Sequence, residues 1–141
     1  MKRLLLRLQP LGLLMLRIAL GAIMVAHGYP KIFHGGYGHN MAAQVAGMGL
    51  PGFLGYFVAY LEFIGGLMLL VGVFTRVIGL LFAGEMLVAI LKVHLKNGIG
   101  TQGGIDLPLA CMAIAFALIF FGGGLISVDH LIFGGGHKSQ L

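Results

Sequence analysis

The chain has 141 residues, of which 59% are hydrophobic and only 9% are charged, and its formal net charge is +5. A soluble domain normally carries about a quarter charged residues because its surface faces water, so this composition excludes a soluble globular domain. Together with a mean hydropathy of +1.02, it predicts an integral membrane protein whose principal partner is the lipid bilayer.

The positive net charge does not indicate nucleic-acid binding. Lys and Arg residues are scattered along the chain and form no basic stripe interleaved with aromatic residues, which excludes a nucleic-acid partner. The single cysteine, Cys111, excludes a disulfide framework, a dithiol redox centre and a Cys-based zinc site.

Apolar runs long enough to cross a bilayer follow one another along the chain. A transmembrane helix needs about 20 residues at a rise of 1.5 Å per residue. The runs that meet this requirement are residues 11–33, 52–74, 77–95 and 107–128. We therefore predict an all-α, four-transmembrane-helix bundle, and we expect residues 1–141 to form a single domain.

The connections between these runs differ in character. A Gly- and His-rich segment joins the first two, and in it Asn40 is predicted to cap a short interfacial helix over residues 41–46 that ends at Gly47. The second and third helices are joined by Thr75 and Arg76 alone. Several turn signals join the third helix to the fourth.

The distribution of basic residues predicts the orientation of the chain. On one side of the membrane fall Lys2, Arg3, Arg7, Arg76 and Lys138, and on the other fall Lys31, Lys92 and Lys96. The excess on the first side predicts that both termini are cytoplasmic in a bacterial inner membrane. Because Arg17 interrupts the first apolar run and no A-x-A site follows, the first helix is expected to be retained rather than cleaved as a signal peptide.

Three ionisable residues, Arg17, Glu62 and Glu85, fall well inside the predicted helices. On a helical wheel, Gly55 and Gly66 share the face of Glu62, and small residues mark the seams between membrane helices. An unpaired charge near the bilayer centre costs about 3 kcal/mol or more. We therefore predict that the three residues form a buried polar cluster, in which Arg17 reaches one or both carboxylates or one carboxyl group is protonated. The cluster is either a structural ion-pair network that fixes helix register or a site for a proton or a quinone headgroup.

A second group of polar residues shares one depth near the other ends of the helices. Its members are His27, Lys31, Lys92, His94 and Asp106, and we predict that they line an outer-facing pocket. His94 points to the opposite face of its helix from Lys92, so it joins the group only if that helix is contacted on two sides. The lysines could also snorkel to headgroups, and the histidines could bond water, a quinone carbonyl or haem iron. We expect no metal site, because the histidines of the Gly-rich segment lack fixed geometry.

Several stretches resemble the DoxX family in order and spacing. They are RIALGAIMVAHGYPKIF, GLPGFLGYFVAYLEFIGGLMLLVGVFTRVIGLL, VHLKNG, GGIDLPL and GGGLISVD. The resemblance covers residues 11–131 and implies a four-helix inner-membrane protein with cytoplasmic termini. It also implies a membrane subunit of a thiosulfate:quinone oxidoreductase or of another redox or detoxification complex.

The family's motif residues map onto positions already singled out. Arg17 corresponds to the family's helix-1 arginine, and His27 with Lys31 corresponds to its HGxxK motif. Glu62 corresponds to the helix-2 glutamate, and His94 with Asn97 corresponds to VHxxNG. The chain departs from the family pattern at Asp106, where a glutamate is frequent. It departs again where Gly122-Gly123-Gly124 and Val128 replace GPG before SLD.

The functional hypothesis from the sequence is an accessory subunit of a quinone-linked redox or detoxification complex. We expect no catalytic activity from the chain on its own, and quinone is the one cofactor implied. The alternatives are a small-molecule or proton carrier and a purely structural membrane anchor. Pairs of small residues four apart, such as Ala113 and Ala117, predict packing within the chain, with a homodimer seam as the alternative.

Overall fold

The computed structural model describes residues 2–34 and 37–134, and within them the chain is helical without any strand. The helices are α1 (Lys2–Phe33), α2 (Tyr37–Gly47), α3 (Phe53–Val71), α4 (Thr75–Asn97), α5 (Asp106–Phe121) and α6 (Val128–Phe133). The prediction of an all-α membrane fold with a short helix after the first span is confirmed.

Among the described residues, three helices are long and apolar enough to cross a membrane. They are α1, with 31 residues counted from Arg3, α3 with 19 residues and α4 with 23 residues. The fourth apolar helix, α5, has 16 residues. It is about 24 Å long at 1.5 Å per residue and thus shorter than a hydrocarbon core of about 30 Å.

The helix ends differ from the predicted ones where glycine changes the backbone direction. The fourth helix was predicted to reach residue 128, but α5 ends at Phe121 because Gly122 adopts a φ of 73°, a left-handed value that favours glycine. Likewise α3 ends at Val71 because Gly72 has a φ of 79°. The link to α4 is therefore residues 72–74, and not Thr75 and Arg76 as predicted.

The start of two helices also differs from the prediction. Asn40 lies inside α2 and does not cap it, because the helix begins at Tyr37, although Gly47 ends it as expected. α1 begins at Lys2, nine residues before the predicted start at residue 11. Lys138, one of the basic residues used to predict orientation, lies outside the described residues.

The α1–α3 interface depends on two glycines that face each other. A Cβ on Gly21 would lie 2.9 Å from the carbonyl oxygen of Gly66, and a Cβ on Gly66 would lie 2.9 Å from that of Gly21. At such distances no side chain fits, so the two backbones are in direct contact. α4 packs mainly against α5, and α1 also contacts α5, which joins the two pairs into one bundle.

An apolar layer crosses the middle of the bundle. Each of α1, α3, α4 and α5 contributes a large apolar side chain with 0% exposure, in that order Leu20, Leu69, Phe82 and Leu118. These four side chains belong to one hydrophobic core cluster. Polar groups lie on both sides of the layer, and we call the two sides the Arg17 end and the Lys31 end.

We expect Gly21→Ala to destabilise the bundle by about 1–3 kcal/mol, because the new methyl group must displace the α3 backbone. The matched control is Gly84→Ala, at an exposed position of α4 where a Cβ would meet nothing within 4 Å. Both changes gain the same helix propensity, so their difference in thermal or chemical unfolding in detergent isolates the packing effect. Equal stability of the two variants would contradict a direct backbone contact.

Candidate functional site

The Lys31 end contains a buried ion pair between α1 and α3. The Lys31 ammonium nitrogen lies 2.5 Å from Oε2 of Glu62, and the two side chains are only 18% and 6% exposed. Gly28, on the same face of α1 as Lys31, makes this possible, because a Cβ there would overlap the backbone nitrogen of Phe63. The missing side chain lets α3 approach closely enough for the lysine to reach the carboxylate.

Glu62 lies in an irregular part of its helix. Residues Leu61–Gly65 form a π-helical turn within α3, and single π-turns inside α-helices are frequent at functional sites. A second π-turn, Ile90–His94, lies near the end of α4. An ideal α-helical wheel does not anticipate such turns, so no sequence pattern predicted them.

Glu85 of α4 is a second carboxyl group beside this ion pair. It interacts electrostatically with Glu62 and, more weakly, with Lys31. Its Oε2 atom is buried and has no hydrogen-bond partner among the described residues. The buried thiol of Cys111 in α5 is close enough to Glu85 to interact with it electrostatically. We refer to Lys31, Glu62 and Glu85 as the carboxylate cluster.

Arg17 does not belong to this cluster, which corrects the expectation that it pairs with Glu62 or Glu85. It is 2% exposed, but it donates to the carbonyl oxygens of Gly123 at 2.7 Å and Leu70 at 3.5 Å. Its guanidinium lies against Gly72, about ten residues and hence about 15 Å along α3 from Glu62.

Side-chain direction explains this difference. Side chains of an α-helix tilt towards its N-terminus. Because α1 runs from the Arg17 end to the Lys31 end, Arg17 extends away from the carboxylates, whereas Lys31 extends back into the bundle towards them. The depth of the Cα atoms alone therefore predicted the wrong cation.

Asp129 is the charged neighbour of Arg17, and the sequence analysis missed it. Its carboxylate accepts the backbone N–H groups of Phe74 at 2.7 Å and Thr75 at 2.8 Å, at the start of α4. Ser127, two residues earlier, caps α6 by accepting the N–H of His130. The Ser-Val-Asp spacing is a helix N-cap signal that could have identified this segment. Arg17 and Asp129 thus tie α1, α3, α4 and α6 together.

An open cleft of about 830 Å³ lies between α1 and α2. Its described lining residues are Ala26, His27, Pro30, Lys31, Asn40, Met41, Ala43 and Gln44. Lys31 therefore connects the cleft to the buried Glu62, and His27 lies one helical turn away. The Nδ1 of His27 lies 2.9 Å from the carbonyl oxygen of Ile23.

The other residues predicted to line an outer-facing pocket do not line this cleft. His94 and Asn97 both contact the carbonyl oxygen of Gly103, at 2.7 and 2.8 Å, and Asp106 accepts the N–H of Gly100 at 3.1 Å. These side chains hold the loop between α4 and α5, while Lys92 is exposed. Within residues 2–34 and 37–134, no group of three or more His, Cys, Asp or Glu residues is placed to hold a metal ion.

We expect Lys31→Met to lower the free energy of unfolding by about 3 kcal/mol, because it leaves the buried Glu62 carboxylate without its cation. Adding Glu62→Gln should restore most of this loss, since the amide needs no counter-charge. Thermal unfolding in detergent measures both variants, with Lys96→Met, at an exposed position, as the matched control. A Lys31→Met protein as stable as the parent would contradict the ion pair.

We expect Arg17→Leu to lower the free energy of unfolding by a similar amount, about 3 kcal/mol, because the buried carbonyl oxygen of Gly123 loses a charged donor. A double-mutant cycle locates its partner. Arg17→Leu should be strongly coupled to Asp129→Asn and should be additive with Glu62→Gln. Strong coupling of Arg17→Leu to Glu62→Gln would instead support the pairing of Arg17 with Glu62 that was expected from the sequence.

Comparisons with known proteins identify the family of the chain. A profile of the DoxX family matches residues 12–95. The chain is 36% identical over 126 residues to "Putative oxidoreductase CatD" of Bacillus subtilis (strain 168), an alignment that covers 89% of this chain and 90% of the relative. It is 32% identical over 127 residues to "Inner membrane protein YqjF" of Escherichia coli (strain K12), with 89% of this chain and 95% of the relative covered.

No solved structure matches the chain at a significant level. The family profile covers more than half of the chain, and both relatives are aligned over nearly their whole length. The resemblance drawn from the sequence motifs is therefore confirmed: the chain belongs to the DoxX family of membrane proteins.

Proposed function

We propose that this protein is an accessory membrane subunit of a quinone-linked redox or detoxification complex in the bacterial inner membrane, with both termini cytoplasmic. In this proposal the carboxylate cluster holds the quinone headgroup and exchanges protons with it. The observation that carries the proposal is the buried Lys31–Glu62 ion pair with Glu85 beside it. The names of the two relatives, "Putative oxidoreductase CatD" and "Inner membrane protein YqjF", support the redox role and the location.

The charges of the cluster support a role in proton exchange. It contains two carboxyl groups and one ammonium group, so it carries a net negative charge when both carboxyl groups are ionised. A net charge inside the membrane costs about 3 kcal/mol or more. The cluster is neutral when one carboxyl group holds a proton, and this proton is available for transfer to a bound ligand.

The side chains present also fit a quinone headgroup. When it is protonated, the buried Glu85 carboxyl group, whose Oε2 lacks a hydrogen-bond partner among the described residues, would donate to a ring oxygen of the quinone. The Lys31 side chain lines the cleft from which a headgroup would approach. A quinone takes up two electrons and two protons when it is reduced. Lysine and glutamate side chains hold and move the protons, so a partner subunit must supply the electrons.

The apolar layer favours this role over that of a proton channel. Leu20, Leu69 and Phe82, each with 0% exposure, lie between the carboxylate cluster and the polar groups of the Arg17 end. A continuous proton path would require polar groups or water across this layer. Proton exchange from the cleft side alone suits a subunit that serves a redox reaction at one face.

The proposal is tested with the complex purified intact from native membranes in mild detergent. We expect Glu62→Gln to lower kcat for quinone reduction about 100-fold, because loss of a positioned acid–base group typically has an effect of this size. The variant should fold and assemble, since glutamine keeps the shape of the side chain and Lys31 retains Glu85 as a counter-charge. The control is Lys96→Gln, at an exposed position outside the cleft, which should retain full activity.

Two further measurements complete the test. We expect the purified chain to retain quinone, measured by mass spectrometry of the extracted lipids, and Glu85→Gln to retain less of it. Full quinone-reducing activity in a well-folded Glu62→Gln complex would refute the proposal. Proton or solute flux into liposomes by the chain alone would instead support a carrier.

A further inference from the structure

A groove at the Arg17 end is independent of the carboxylate cluster, and we propose that it binds an anionic phospholipid. The headgroup phosphate would lie at Arg76 and an acyl chain would follow α1. The groove has a volume of about 760 Å³ and separates the N-terminal part of α1 from residues 121–134. We call it the Arg76 groove.

The walls of the Arg76 groove suit an acyl chain. One wall is a single face of α1, formed by Leu6, Gln9, Pro10 and Leu13, whose spacing places them on one side of the helix. The facing wall includes Leu125 and Phe133. Leu6, Leu125 and Phe133 are 61%, 60% and 66% exposed. In a membrane protein such exposed apolar side chains contact acyl chains, and a groove of ligand size lined by them offers one acyl chain a defined position.

Arg76 is held in place at the edge of the same groove. One of its terminal nitrogens donates to the carbonyl oxygen of Ile119 at 3.1 Å, which uses one of the five N–H donors of a guanidinium. A Cβ on Gly122 would lie 3.2 Å from Nε of Arg76, so the glycine provides the room in which the guanidinium lies. The remaining donors have the planar geometry that binds phosphate oxygens well.

The charge at this end favours an anionic over a zwitterionic headgroup. Its exposed Arg and Lys residues, in the part of the chain that the structure describes, are Arg3, Arg7 and Arg76. The one carboxylate lining the groove, Asp129, accepts two backbone N–H groups and neighbours Arg17, so its charge is compensated. Clusters of basic side chains beside an apolar membrane segment attract anionic lipids.

The experiment uses the full chain in a neutral detergent and compares phosphatidylglycerol with phosphatidylcholine carrying the same acyl chains. Native mass spectrometry measures the lipid that the protein retains. The rise of the thermal unfolding midpoint with lipid concentration gives the affinity. We expect phosphatidylglycerol to bind about 10-fold more tightly than phosphatidylcholine. Arg76→Gln should abolish this preference, and Leu6→Trp, which narrows the groove, should weaken the binding of both lipids.

A matched control distinguishes binding at the Arg76 groove from a general attraction of the lipid to exposed positive charge. Lys96→Gln, which removes an exposed cation at the other end of α4, should leave both affinities unchanged. Equal binding of the two lipids, or a phosphatidylglycerol preference that survives Arg76→Gln, would overturn the proposal. So would an equal stabilisation by inorganic phosphate alone, which would indicate a phosphate site without an acyl chain, or displacement of the bound lipid by an acidic peptide.

Discussion

The ion pair between Lys31 and Glu62 is the interaction on which the rest of this structure depends. A carboxylate in the middle of a membrane bundle is tolerated only if a cation reaches it. The cation reaches it here because Gly28 lets α1 and α3 touch, because the lysine side chain tilts back along α1, and because a π-turn holds Glu62 at the interface. The ion pair therefore depends at once on close helix packing, on the irregular turn of α3 and on the direction of the lysine side chain.

At the other end of the bundle a buried charge is compensated in a different way. The charge of Arg17 is compensated by Asp129 and by two backbone carbonyl oxygens that lie where helices end. A guanidinium has five donors and can satisfy several carbonyl oxygens at once. An ammonium on a flexible stem suits one carboxylate. The arginine thus fastens helix ends, whereas the lysine is left next to a cleft.

The apolar layer between these two ends gives them separate roles. Leu20, Leu69, Phe82 and Leu118 are fully buried and separate the carboxylate cluster from the Arg17 end, whereas Lys31 lines the α1–α2 cleft. The ligand chemistry that we propose therefore belongs to the cleft side. The Arg17 end combines the helix contacts made by Arg17 and Asp129 with the exposed, apolar Arg76 groove, an arrangement that suits contact with lipid.

The sequence by itself determined the membrane class, the helical fold, the family and the two carboxylates of the cluster, because hydropathy, helical periodicity and isolated charges are local properties of a chain. It also placed His27 and Lys31 together, since they lie one turn apart on one helix. Only the tertiary structure decided which cation meets Glu62, because that choice depends on side-chain direction and on a close contact between two helices. For the same reason His94 and Asp106, at the predicted depth, turned out to hold a loop: depth along a helix is encoded locally, but the neighbours of a side chain are set by packing.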